Sequence, residues 1–266
     1  MTQRVLTAAI GEYPHTAALA DTPTLRLDRA TIKPINMAFA PMVRELRFDV
    51  CEMAIATFLM AKEAGIPITL LPAVMAERYQ EGALVCPKDS PIQGPADLKG
   101  KRVGVRAYSQ TTGMWLRGVL ADSHGVPPDS IPWTTFEDAH VPTFRDPPFV
   151  TRAAPGSDIA AMLRGGELDA AIFGFEVPEG MRTVFPDPAA AGRDFQARYG
   201  FKPVNHLVVV KSELARDAAV MDGLRHIFAA SLTTPDALAP AIALAGRFCA
   251  AQGLIKQPLT TAQVWS

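Results

Sequence analysis

Several residues of this chain combine a reactive side chain with a position where chemistry is usually placed. Tyr13 and His15 lie in the loop that follows the first apolar run, residues 5–10. Arg78, Gln80 and Glu81 fall in a polar insertion, residues 76–82, between apolar runs. Glu52 follows a short strand-like segment, and Asn205-His206 immediately precede the apolar run 207–210. Gln110, Thr111 and Thr112 stand where a helix would begin. Imidazole titrates near neutrality, so His15 and His206 suit proton transfer. Glu52 and Glu81 are candidate bases. Arg78 and an uncapped helix N-terminus both suit a carboxylate or phosphate. Each residue also has a plainer role: Ser109 or Thr111 as a helix cap, Glu52 as a charge complementing a helix dipole, Arg78 as a surface ion pair, His206 as a donor to a backbone carbonyl. His15, Glu52, Glu81 and His206 would together form an N₂O₂ set for a divalent metal. Their separations are long and no local His pair supports it, so no metal is expected.

These residues need a scaffold. Residues 97–120 read as turn, strand, loop and helix, with Met114, Trp115, Gly118 and Val119 at helical spacing. A helix is expected from near Thr16, a hairpin or second strand from residues 25–35, and a helix opening at residues 51–54. Residues 87–95, rich in Pro, Gly, Ser and Asp, mark a crossover between domains. Residues 136–155 mix prolines and charges without periodicity and read as a long surface loop. A capped helix covers residues 157–165, and helices after residue 212 look like packing. The αβ alternation predicts doubly wound sheets. The expected domains are residues 1–86 plus 207–266, a discontinuous lobe, and residues 87–206, with the ligand in the cleft between them.

With 26 basic and 27 acidic residues the net charge is −1, which gives no case for nucleic acid or an anionic membrane surface. The length of 266 residues suits two small domains or one large one. Cys51, Cys86 and Cys249 are widely spaced and form no CxxC motif, so reduced thiols are the simpler account. No run is long enough to span a bilayer. The run at residues 5–10 is shorter than a signal-peptide core, so a cytoplasmic location is expected.

The motifs FDVCEMAIATFLMAKEAG (residues 48–65), DLKGKRVGV (97–105) with TTGMWLRGVL (111–120), HGVPPDSIPW (124–133), LRGGELDAAI (163–172) and GFKPVNH (200–206) occur in one order. In that combination the chain resembles the 4,5-dihydroxyphthalate decarboxylase-like family, which has the type II periplasmic-binding-protein fold. The resemblance implies a two-lobed α/β protein. It implies a cytoplasmic carboxy-lyase that removes CO2 from a hydroxylated, phthalate-like aromatic acid without a cofactor, in aromatic compound catabolism. On matched positions the cleft residues would include Tyr13, Glu52, Arg78, Thr111, Trp115 and His206, with Trp115 either stacking on the ligand or packing in the core. Two segments depart from the family: Tyr13-Pro14-His15 replaces a Tyr-Asp-Arg type sequence, and Arg78-Tyr79-Gln80-Glu81 replaces Arg-Phe-Arg-His. The loss of an arginine and a histidine removes two partners for a dicarboxylate. The same fold without chemistry would be the solute-binding protein of an ABC-type transporter for a small organic acid. The expected partner is a small aromatic or organic acid, and a homo-oligomer is compatible with the sequence.

Overall fold

The computed structural model describes residues 3–17, 19–174 and 176–266. In chain order its strands are β1 (Arg4–Ala9), β2 (Leu25–Arg29), β3 (Val50–Ala54), β4 (Ile68–Glu77), β5 (Leu84–Pro87), β6 (Val103–Val105), β7 (Trp133–Thr135), β8 (Val150–Arg152), β9 (Ala170–Ile172), β10 (Met181–Thr183) and β11 (Val204–Lys211). They form a 5-stranded sheet of order β2-β1-β3-β11-β4 and a 6-stranded sheet of order β10-β5-β9-β6-β7-β8. The helices are α1 (Phe39–Glu45), α2 (Ile55–Glu63), α3 (Thr111–His124), α4 (Ile159–Arg164), α5 (Pro188–Tyr199), α6 (Ser212–Ala215), α7 (Ala218–Ile227), α8 (Pro235–Ala251) and α9 (Thr261–Trp265). This is the expected two-lobed α/β arrangement. The first sheet is completed only by β11, which inserts antiparallel between β3 and β4.

Three local expectations are corrected. The sequence puts the first crossover at residue 87, but β5 already pairs with β9 and β10, so the chain leaves the first sheet between β4 and β5. Among the described residues no helix forms at Thr16. Its hydroxyl donates to the Gly11 carbonyl at 2.8 Å and accepts from the Tyr13 N–H at 2.7 Å, bonds that hold a turn. Residues 51–54 do not open a helix but continue β3, because β1 and β11 offer ladder partners on both sides. Tertiary pairing overrides a weak local preference there.

The main apolar core runs through both sheets rather than stopping at the boundary between them. Trp115 on α3 is fully buried, and its Nε1 donates to the Val204 carbonyl of β11 at 2.9 Å. Phe195, Phe201 and Phe248 surround its ring, with centroids 6.0, 6.4 and 5.8 Å away. Gly118, one turn further along α3, lies against the Phe248 ring so closely that a Cβ would collide with it. That absence of a side chain lets α8 lie on α3. Trp115 is therefore a packing residue that joins the lobes.

Candidate functional site

A cavity of about 620 Å³ lies where the two sheets face each other. Its walls carry residues from β3, β4 and β11 of the first sheet and from the α3 N-terminus and the 136–140 loop of the second. Such a volume suits a small organic ligand.

Glu52 organises one wall from behind. It sits mid-β3, fully buried, with Val208 opposite it and His206 opposite Ala54. Glu52 and His206 are thus diagonal neighbours across an antiparallel pair, within reach of each other. The register of β11 against β4 breaks on either side of His206. Glu52 Oε1 meets His206 Nδ1 at 2.6 Å and accepts the Tyr13 hydroxyl at 2.5 Å, while Oε2 accepts the Gly11 N–H at 2.8 Å. Three hydrogen-bonding groups thus meet a carboxylate that burial removes from the surface. Burial, then the charge and hydrogen bond of Glu52, push the Tyr13 hydroxyl far above its ordinary range, so the phenol keeps its proton. Gly11 is needed for this contact: a Cβ there would fall 2.7 Å from Tyr13 Cε2. With Nδ1 engaged, His206 has Nε2 left for the cavity, which it lines.

A second wall carries groups whose chemistry suits an anion. The 14-residue helix α3 starts at Thr111 with no side-chain cap, so the expected capping by Ser109 or Thr111 does not occur. Gln110, Thr111 and Thr112 line the cavity at that terminus. The Ala56 N–H in the first turn of α2 donates to Thr111 Oγ1 at 3.3 Å, so two helix N-termini converge there. Both contribute partial positive charge. Arg78, just past β4, reaches across and donates from Nη2 to Thr112 Oγ1 at 2.8 Å. Burial lowers its proton affinity without removing it from the charged range of an arginine. Asn205 lines the cavity and is held by Gln80, whose Nε2 donates to Asn205 Oδ1 at 2.6 Å and to the Arg78 carbonyl at 2.8 Å. Gln80 is itself buried and is not among the described residues that line the cavity.

Other expected residues are not brought in. Glu81 is buried and is not among the described residues that line the cavity. Burial raises its pKa, which favours the neutral acid. His15 stacks on Tyr13, with ring centroids 5.2 Å apart, and is not among the residues lining the cavity. Trp115 is in the core. The N₂O₂ set does not assemble: Glu52 and His206 meet, but among the described residues no group of His, Cys, Asp or Glu is gathered to hold a metal.

The site also contains residues that the sequence did not single out. His140, in the proline-rich loop, lines the cavity, and its Nδ1 lies 2.8 Å from Thr57 Oγ1. Burial, with Arg106, Arg44 and His206 adding to it, pushes His140 down to about 4, so its ring is neutral at neutral pH. Phe39 presents its ring edge-on to both His140 and His206, with centroids 5.6 and 5.2 Å away. Phe136, Ile159, Ile172 and Phe173 complete an apolar flank. Arg44 donates to the Ala139 and His140 carbonyls at 2.8 and 3.0 Å and so ties the loop to the first lobe. The positions of Phe39 and His140 had no periodic signal in sequence; a polar loop facing a cleft was the only hint.

Comparison with known proteins bears on this geometry. Residues 36–147 match the family described as NMT1/THI5 like. Over 262 residues the chain is 27% identical to a 4,5-dihydroxyphthalate decarboxylase of Comamonas testosteroni, covering 88% of this chain and 77% of that protein. A protein of the same name from Pseudomonas putida is 28% identical over 181 residues, 63% of this chain and 69% of its own length. Among solved structures, the periplasmic aliphatic sulphonate binding protein SsuA of Escherichia coli matches with a TM-score of 0.58 at 16% identity, over 99% of this chain and 82% of that one. The desulfurization enzyme DSZB matches with a TM-score of 0.57 at 17% identity, over 99% and 96%. At these identities the two structures establish a shared two-lobed fold.

Proposed function

We propose, for a chain similar to the 4,5-dihydroxyphthalate decarboxylases along most of its length, that the cavity is the active site of a decarboxylase. It acts on a hydroxylated aromatic acid, in the cytoplasm, without a cofactor. The observation that carries this reading is the buried Glu52–His206 pair at 2.6 Å beside an anion-binding wall. A carboxylate that fixes one ring nitrogen leaves the other oriented for proton transfer. In the proposed reaction the substrate carboxylate rests on Arg78 and the α3 N-terminus, turned out of the ring plane. The ring lies along Phe39. His206, held by Glu52 through Nδ1, delivers a proton from Nε2 to the ring carbon that bears the carboxylate. The new C–H bond forms, the C–C bond breaks, its electron pair returns to the ring, and CO2 leaves. A proton from solvent restores His206. Neutral His140 is suited to hydrogen-bond a ring hydroxyl, whose electrons raise the basicity of that carbon.

The test is incubation with hydroxylated benzoates and phthalates while CO2 and ring absorbance are followed. A positioned acid contributes roughly 10²–10⁴-fold. His206→Gln should lower kcat by that order while ligand binding persists; an unchanged rate sinks the assignment of the acid. The second reading, a solute-binding protein for a small organic acid, is supported by the family match and the SsuA fold. Micromolar binding with no turnover across the panel would favour it.

A further inference from the structure

The proposed reaction makes no use of Arg117, yet this side chain lies against the first turn of α3, where Thr111 and Thr112 line the cavity. It is fully buried. Helical side chains lean towards the N-terminus, and this one runs back along α3. Nη2 donates to the Tyr108 carbonyl, in the loop that leads into the helix. Nη1 would lie 3.0 Å from a Cβ on Gly113, the residue after Thr112. Among the described residues no carboxylate forms an ion pair with Arg117. Nε donates to Gln252 Oε1 at 2.7 Å, the Tyr108 and Trp133 rings lie 3.8 and 5.2 Å from Cζ, and Nη1 has no hydrogen-bond partner. Asp146 acts on it from a distance and is itself engaged by Thr135 Oγ1 at 3.1 Å, with Arg152 3.8 Å away. Cys249 on α8 stays a neutral thiol, because burial pushes it up to about 12. Burial lowers Arg117 only to about 10, so it is charged at neutral pH.

That charge stands where folding alone gives it little reason to be. Burial strips a cation of its water, and apolar side chains of similar volume often replace buried charges without loss of stability. The first turn of a helix is positive already, so a cation beside it adds repulsion. An anion bound at that turn is attracted by both, and a buried charge is screened little by salt or water. We propose that Arg117 is a specificity-determining residue. It lends the α3 N-terminus a fixed positive charge, so that the cavity prefers a carboxylate to a neutral group of the same shape, without Arg117 itself meeting the ligand. The inference rests on the cavity being the carboxylate-binding site proposed above, and not on the ligand being turned over.

The probes are 3,4-dihydroxybenzoate and its neutral analogue 3,4-dihydroxybenzamide, with calorimetric Kd values measured for the full chain at neutral pH. CO2 release from the benzoate is read in parallel. Arg117→Met and Arg117→Gln remove the charge, Arg117→Lys keeps it, and thermal unfolding shows which variants are folded. The other charged and titratable groups of the cavity stand unchanged throughout: Arg78, the Arg106–Glu137 and His206–Glu52 pairs, neutral His140, Glu77 and Asp158. The wild type should prefer the benzoate. A folded neutral variant should lose roughly tenfold of that preference, through the benzoate alone, and Arg117→Lys should retain most of it. Equal weakening of both probes marks a merely structural tie and overturns the inference, as do an unmoved ratio and the lack of any preference in the wild type. If neither neutral variant folds, Arg117→Lys decides: a kept preference supports the inference and a lost one overturns it. The expected ratios without CO2 overturn the decarboxylase reading alone. CO2 release with a ratio unmoved by the neutral variants overturns the inference alone.

Discussion

Acidification should weaken the fold through His140, by an amount that the site geometry sets. An unfolded histidine titrates near 6.5, whereas the folded ring is pushed down to about 4 by burial and by Arg106, Arg44 and His206. Between those values the unfolded chain binds more protons than the folded one, so stability falls as pH falls. The contribution is fully present above 6.5 and is lost as pH drops towards 4. From pH 7.5 to pH 5, that pair of values gives a loss of at most about 2 kcal/mol from this residue. It is an upper value because the ring is only half-buried. The assay is urea unfolding of the wild type and His140→Gln at both pH values, with stability taken by linear extrapolation. Glutamine keeps a polar contact for Thr57 but cannot ionise. The wild type should lose more than the variant on acidification, by a margin approaching that figure. Equal losses in both proteins would show that His140 is not held neutral, and its role as a neutral partner for a ring hydroxyl would fall with it.

Other expectations follow from particular contacts. Glu52→Gln puts an amide where three donors point, so at least one buried donor loses its acceptor. Stability should fall by roughly 1–3 kcal/mol and kcat by about 10² or more, read by thermal unfolding and CO2 release. Gly11→Ala drives a methyl into the Tyr13 ring and should lower kcat severalfold while leaving the far-ultraviolet circular dichroism unchanged. Trp115→Phe removes the bond to the Val204 carbonyl and should cost roughly 1–3 kcal/mol of stability with ligand Kd unaltered; a shifted Kd would restore Trp115 to the ligand site.

Parts of the site were legible because local chemistry and position agreed. The α3 N-terminus announced itself through small polar residues before a helical pattern, and Arg78 through its place in a polar insertion. The sequence offers Glu52 as a candidate base or, more plainly, as a helix-start charge, yet its surroundings come from lying diagonally to His206 across two strands, a relation set by pairing between residues 154 apart. His140 and Phe39 escaped because the loop carrying one and the short helix carrying the other have no period that points inward. The Arg44 and Thr57 contacts help to aim that loop. Glu81, Gln80 and His15 show the reverse. Their side-chain types suit chemistry, but burial direction, which sequence does not encode locally, turns them away from the cavity.

The late insertion of β11 has a consequence for how the molecule comes into being. During synthesis β3 and β4 emerge more than 100 residues before the strand that joins them. Until β11 arrives, both present unpaired edges, the kind of surface that recruits other chains. Such distant pairing also carries a large loop-closure cost and folds slowly. His206 rides on that last strand. The imidazole therefore reaches Glu52 in the same event that seals the sheet, so a half-finished chain lacks the pair altogether. Conditions that delay this closure should yield aggregates rather than a weakly active intermediate.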